Sequence, residues 1–258
     1  MRVLVLAFPV IVGCSGKGGE PEATTPAPEP TSSPTPLPTS EPDEGGVVHL
    51  ETADGLTLEA DYLTAPAGAA AVVLLHMIPP GNDRSNWPLA FRDQLHDAGY
   101  AVLALDRRGA GGSDGVAQEA YTGPNGKLDV AAAVDRVVAD GHERVAILGA
   151  SNGTTSMIDY TVWAAGEGHT APLALGFLTG GTYTENQTPM SALPSLPAVF
   201  TYSTAERSWS EAQRALDPGT WVFHEYPNGA HGTGMFAAAP EVADDLVGFL
   251  TDAVPPAR

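Results

Sequence analysis

The chain has 258 residues, 43% of them hydrophobic and 17% charged, which suffices for one sizeable core and excludes fibrous or wholly disordered classes. Lys plus Arg number 12 against 31 Asp plus Glu, a formal charge of -19 that repels phosphate backbones and so excludes nucleic acid as a favoured partner. A single cysteine rules out an internal disulfide.

In chain order, Met1-Arg2 is followed by an apolar run, Val3 to Val12, broken only by Pro9 and closing as Ile11-Val12-Gly13-Cys14. Such a run is too short to span about 30 Å of hydrocarbon as a helix, so residues 1–13 read as a secretion signal. Its last four residues resemble the bacterial lipobox, whose cysteine becomes the lipidated first residue of the mature protein. The resemblance implies a lipoprotein attached to the cell envelope through Cys14, at the outer membrane in a two-membrane bacterium. Residues 14–46 carry eight prolines among Thr, Ser, Gly and Glu and almost no large apolar side chain. They cannot bury enough surface to offset the cost of ordering and read as a disordered tether, reaching at most roughly 100 Å at about 3.1 Å per residue. A basic cluster is absent there, so the lipid is the only expected membrane contact.

From Val47 to the C-terminus the texture becomes that of one folded domain. Val47 to Glu51 and Leu56 to Leu63, joined across Ala53-Asp54-Gly55, alternate as an antiparallel hairpin. Ala70 to His76 is a continuous apolar run, as in a strand buried on both faces of a parallel sheet. Trp87 to Gly99 has helical spacing, Tyr100 to Leu105 is a strand, and Leu128 to Ala139 is a helix with Val130, Ala133, Val134, Val137 and Val138 on one side. Strand texture returns at Arg144 to Leu148, Leu173 to Leu178, Ala198 to Tyr202 and Trp221 to Tyr226, and Glu241 to Ala253 closes as an amphipathic helix. This alternation predicts a mostly parallel sheet with helices on both faces and a site at the carboxyl ends of the strands.

Gly149-Ala150-Ser151-Asn152-Gly153 lies after a predicted strand and before a predicted helix. A serine presented on so tight a turn needs small residues two before and two after it, here Gly149 and Gly153, and the following helix aims its positive end at the same place. His231, in Pro227-Asn228-Gly229-Ala230-His231-Gly232 just past the last strand, stands where a base can reach that serine. A carboxylate to fix the imidazole is sought after the strand Ala198 to Tyr202, where Glu206 is chosen over Glu211 and Asp217. A tetrahedral intermediate needs two backbone donors. Asn152 N–H is one; Pro79 and Pro80 have no N–H, so the other is Met77 or Ile78. Histidine spacing suggests no metal, and no cofactor is expected.

With these residues in hand, the chain resembles the α/β-hydrolase superfamily, most closely its small bacterial serine-esterase and dienelactone-hydrolase-like members, from Val47 to the C-terminus. The carriers are Leu74-Leu75-His76, Leu105-Asp106-Arg107-Arg108-Gly109-Ala110-Gly111-Gly112-Ser113, the serine turn, the Glu206 turn and Gly229-Ala230-His231-Gly232. The resemblance implies an eight-stranded, mostly parallel sheet flanked by helices, with Ser151 as nucleophile, His231 as base and Glu206 as orienting acid, acting on a small ester through an acyl-enzyme. Three positions depart from the pattern: dienelactone hydrolases use cysteine where Ser151 stands, Met77 replaces the usual glycine, and Glu206 replaces the commoner aspartate. Too few residues separate Leu178 from Pro197 for a large cap domain, so only the loop around Tyr183 to Met190 is expected to roof the site. The other readings are a serine peptidase and a non-catalytic binding or envelope module on the same fold. The domain itself carries 10 basic and 25 acidic residues, net -15, which disfavours anionic substrates.

Overall fold

The computed structural model describes residues 46–256. Cys14, the signal and all but the last residue of the expected tether lie outside the described residues. Eight strands form one sheet: β1 (Gly46–Glu51), β2 (Thr57–Leu63), β3 (Ala71–Leu75), β4 (Ala101–Leu105), β5 (Val145–Ala150), β6 (Ala174–Leu178), β7 (Ala198–Ser203) and β8 (Trp221–Tyr226). Their spatial order is β1-β2-β4-β3-β5-β6-β7-β8, with β1, β2 and β4 joined antiparallel and every later pairing parallel. The helices are α1 (Leu89–Asp97), α2 (Ala117–Tyr121), α3 (Gly126–Ala139), α4 (Gly153–Glu167), α5 (Arg207–Gln213), α6 (Met235–Ala238) and α7 (Glu241–Ala253).

Burial explains the strands. Every residue of β3, β4 and β5 is buried, as a parallel strand covered on both faces requires. Alternate side chains of β3 then serve opposite layers. Ala71, Val73 and Leu75 pack with Val130, Val134 and Val137 of α3 and Met157 and Ile158 of α4. Val72 and Leu74 pack with Phe91 and Leu95 of α1 and with Val242, Leu246 and Leu250 of α7, whose i, i+4, i+8 spacing makes one apolar stripe.

Element ends differ modestly from the sequence expectations. Strand β1 begins at Gly46, one residue inside the expected tether, and Pro88 stands just outside α1 rather than in its first turn. The short helices α2, α5 and α6 were not foreseen, since four to seven residues are too few for a periodic signal. Between β6 and β7 there is only the single 3-10 turn Met190–Ala192, so among the described residues no cap domain covers the sheet. The chain leaves β3 toward β4 on one side and later returns to β5 on the other. The carboxyl ends of β3 and β5 therefore border the switch point, where an open α/β sheet leaves a crevice.

Candidate active site

Ser151 follows β5 directly and takes φ 49, one of two positive values among the described non-glycine residues. The turn is held by Ser151 N–H donating to the Leu178 carbonyl at 2.8 Å, and by Thr154 N–H and Oγ1 donating to the Ser151 carbonyl at 2.9 and 2.7 Å. A Cβ on Gly153 would lie 2.5 and 2.6 Å from the carbonyl oxygens of Leu75 and His76, and one on Gly149 would lie 2.9 Å from Thr154 N. Both contacts are with backbone that cannot yield, which is the steric reason for small residues on either side of the serine.

The loops after β7 and β8 bring two further side chains to this turn. Ser151 Oγ stands 2.6 Å from His231 Nε2, and His231 Nδ1 stands 2.8 Å from Glu206 Oε1. A carboxylate can only accept, so Nδ1 carries the proton and Nε2 is left to accept from the serine hydroxyl. Gly232 N–H donates to Thr179 Oγ1 at 3.0 Å, tying the histidine loop to the end of β6. The Met77 side chain packs under that loop: a Cβ on Gly232 would come within 2.6 Å of its sulfur. Methionine at this position thus supports the histidine loop, a role glycine could not fill.

The turn after β3 is fixed from within. His76 is fully buried, and burial, with Arg107 nearby, lowers its pKa to about 3 against the opposing bond to Met77. Arg107 N–H donates to its Nε2 at 3.0 Å, so the neutral ring carries its proton on Nδ1, which donates to the Met77 carbonyl at 2.7 Å. Arg107 Nη2 donates to the same carbonyl at 2.9 Å. In a trans peptide C=O and N–H point opposite ways, so with the Met77 carbonyl held inward the Ile78 N–H faces outward. Among the described residues, no acceptor takes the N–H groups of Asn152, Met77 or Ile78. Free donors thus stand on the turn after Ser151 and on the turn after β3.

The other acidic candidates are engaged elsewhere. Glu211 accepts from Arg214 and Tyr202, which, Arg214 most, pull its carboxyl down to about 2. Asp217 accepts from the N–H groups of Gly219, Thr220 and Trp221 at the start of β8. Tyr183 reaches the site from the loop after β6: its hydroxyl donates to the Thr179 carbonyl at 2.5 Å and lies beside Ser151. Burial pushes this phenol up to about 12, the Ser151 contact opposing and the Glu206 charge assisting. Gln187 holds the loop, accepting from Tyr183 N–H and Thr155 Oγ1 and donating to the Gly181 carbonyl. Clefts of about 510 and 280 Å³ flank this loop, one lined by Lys127, Asp159 and Trp163, the other by Met190, Trp209 and Gln213. Sequence reading placed the loop but missed the parts of Thr179, Gln187 and Arg107, which no local pattern distinguishes from ordinary polar residues.

The Hydrolase_4 family, described as serine aminopeptidase, S33, matches residues 67–211, more than half of the chain. The chain belongs to this family. It is a hydrolase of the α/β-hydrolase superfamily, and solved structures share the fold at low identity. An esterase of Pyrococcus furiosus is 15% identical, with 85% of this chain and 97% of that one covered at a TM-score of 0.64. An esterase of Rhodococcus sp., RhEst1, is 17% identical, covering 80% and 99% at 0.64. A dienelactone hydrolase of Anabaena variabilis is 16% identical, covering 81% and 97% at 0.63. No curated protein shows significant sequence similarity to the hydrolase.

Proposed function

We propose that this hydrolase cleaves carboxylic esters by a Ser151-His231-Glu206 triad through an acyl-enzyme. The observation that carries the reading is the continuous relay from Ser151 Oγ to His231 Nε2 at 2.6 Å and from His231 Nδ1 to Glu206 Oε1 at 2.8 Å. In the first step Ser151 Oγ attacks the ester carbon while its proton passes to His231 Nε2, and Glu206 stabilises the imidazolium. The carbonyl oxygen, now negative, takes the N–H groups of Asn152 and Ile78. Collapse expels the alcohol, which receives the proton from His231; water then enters, is deprotonated by His231 and releases the acid and Ser151. No cofactor enters this sequence.

Ester rather than amide chemistry is supported by the esterase and dienelactone hydrolase neighbours, whereas the family description names an aminopeptidase. A panel of short-to-long acyl esters beside aminoacyl amides, run on the purified protein, separates the two. Ester turnover should exceed amide turnover and fall at least about 10³-fold in Ser151→Ala and in His231→Ala. Amide turnover in excess would replace the esterase with a peptidase. A folded protein without activity on either would favour the non-catalytic module.

Lipidation at Cys14 and attachment to the cell envelope are part of the same proposal, resting on Ile11-Val12-Gly13-Cys14 and the proline-rich stretch behind it. Radiolabelled fatty acid should enter the wild-type protein and be absent from Cys14→Ser, with that variant recovered in soluble fractions. Equal labelling of both would refute the anchor.

A further inference from the structure

Arg107 is fully buried, and among the described residues no carboxylate lies within ion-pair distance of its guanidinium. The nearby buried carboxylate, Asp129, is bonded instead by Arg108, from Nε at 2.8 Å and from its N–H at 3.0 Å. A buried guanidinium is costly unless its donors are well placed. Among the described residues Nε has no partner, and the two terminal nitrogens and the backbone N–H are directed at the segments that border the serine. Nη2 donates to the Met77 carbonyl at 2.9 Å and to Asn152 Oδ1 at 3.0 Å, Nη1 donates to Ser156 Oγ at 3.1 Å, and the backbone N–H donates to His76 Nε2 at 3.0 Å. One nitrogen therefore ties the turn after β3 to the residue after the nucleophile, two segments 75 positions apart in the chain. Burial lowers the Arg107 pKa to about 10, with Asp129 opposing, so the side chain remains a cation at neutral pH.

We propose that Arg107 is the positioning residue of the oxyanion pocket: by fixing the Met77 carbonyl and the Asn152 side chain together, it makes the N–H groups of Ile78 and Asn152 converge on the ester carbonyl oxygen as it becomes negative. The inference rests on the serine-hydrolase reading. Arg107 does not touch the reacting atoms. Its loss lets the two donor segments shift independently, which penalises the transition state, where the oxygen carries charge, more than the bound ester.

The test compares wild type, Arg107→Gln, Arg107→Lys and Asn152→Ala for kcat and KM on one ester, and for affinity toward a trifluoromethyl ketone. Addition of Ser151 Oγ to that ketone, with the proton passing to His231, places an oxyanion in the pocket. Arg107→Gln should lose about 10- to 100-fold in kcat with KM within about threefold, and the ketone should weaken by a matching factor. Arg107→Lys, which can still reach one acceptor, should recover part of the loss. Asn152→Ala keeps its backbone N–H but loses the tie to Arg107, and should lose several-fold in kcat. Folded Arg107 variants with kcat and ketone affinity within twofold of wild type would overturn the proposal, as would a loss confined to KM. If the Arg107 variants do not fold, Asn152→Ala decides alone, and unchanged kcat there overturns it. Wild-type protein that neither turns over esters nor binds the ketone would instead remove the serine-hydrolase reading, and this proposal with it.

Discussion

At the scale of single residues, the geometry of the site depends on positions that must be small as much as on Ser151, His231 and Glu206. Gly153→Ala would drive a methyl group into two backbone carbonyls, so it should cost about 2 kcal/mol or more in urea unfolding and abolish turnover even though Ser151 and His231 are intact. Glu206→Gln tests the acid. His231 and Glu206 have side chains 44% and 37% exposed, so water can partly replace the carboxylate, and kcat should fall by about 10²-fold rather than the larger loss expected of a sealed triad. A kcat unchanged in Glu206→Gln would remove Glu206 from the relay. That the side chains of Ser151, His231 and Glu206 come together was legible in the sequence because each stands just past a strand of recognisable texture. The outward orientation of the Ile78 N–H was not, because it turns on which way one peptide faces. That orientation is set by Arg107, thirty positions away from Met77, and by the tautomer of a buried His76.

At the scale of elements, the parallel strands and α7 were legible because burial on two faces leaves a continuous apolar run and burial along one stripe leaves a periodic one. The loop between β6 and β7 leaves none. Its shape comes from Gln187, which bonds Tyr183, Gly181 and Thr155 at once. Gln187→Ala should release Tyr183 from the serine and raise KM several-fold, while thermal unfolding shifts by no more than about 2 °C, because the loop adds little to the two packed layers. An unchanged KM, or a large fall in unfolding temperature, would contradict this. A second network joins β2 to α1 and to the segment before it: Asp61 on β2 receives Arg84 at 2.7 Å and Arg92 at 2.5 Å. Burial raises the Asp61 pKa, but the bonds from Arg92 and Arg84 outweigh it and hold the carboxyl below its ordinary value of 3.8. A depressed carboxylate contributes stability that is complete above the unfolded pKa and is lost as pH falls through the folded one. The stability gap between wild type and Asp61→Asn in urea should therefore be about 1 kcal/mol at pH 7 and shrink below about pH 4; a gap that widens on acidification has the wrong sign.

At the scale of the whole molecule, an open sheet end without a cap meets a domain of net charge -15. Substrates approach a negative field past only the short loop that carries Tyr183. Esters carrying a carboxylate should have lower kcat/KM than neutral esters of equal size, and the ratio should narrow as salt rises from about 0.01 to 0.5 M, where screening shortens the field to a few ångströms. A ratio indifferent to salt would assign the discrimination to local contacts instead. The architecture was legible at this scale because strand–helix alternation after a hairpin admits few topologies. The chain order serine, acid, histidine then distributes those residues over the carboxyl ends of β5, β7 and β8.

The claim on which the rest depends is that Ser151 is the nucleophile. Incubating the purified protein with a fluorophosphonate probe and mapping the adduct by mass spectrometry tests it most directly. The geometry predicts one adduct per chain, on Ser151, slowed strongly in His231→Ala and absent from Ser151→Ala. Folded protein that stays unmodified, or an adduct on any other residue, would contradict the account.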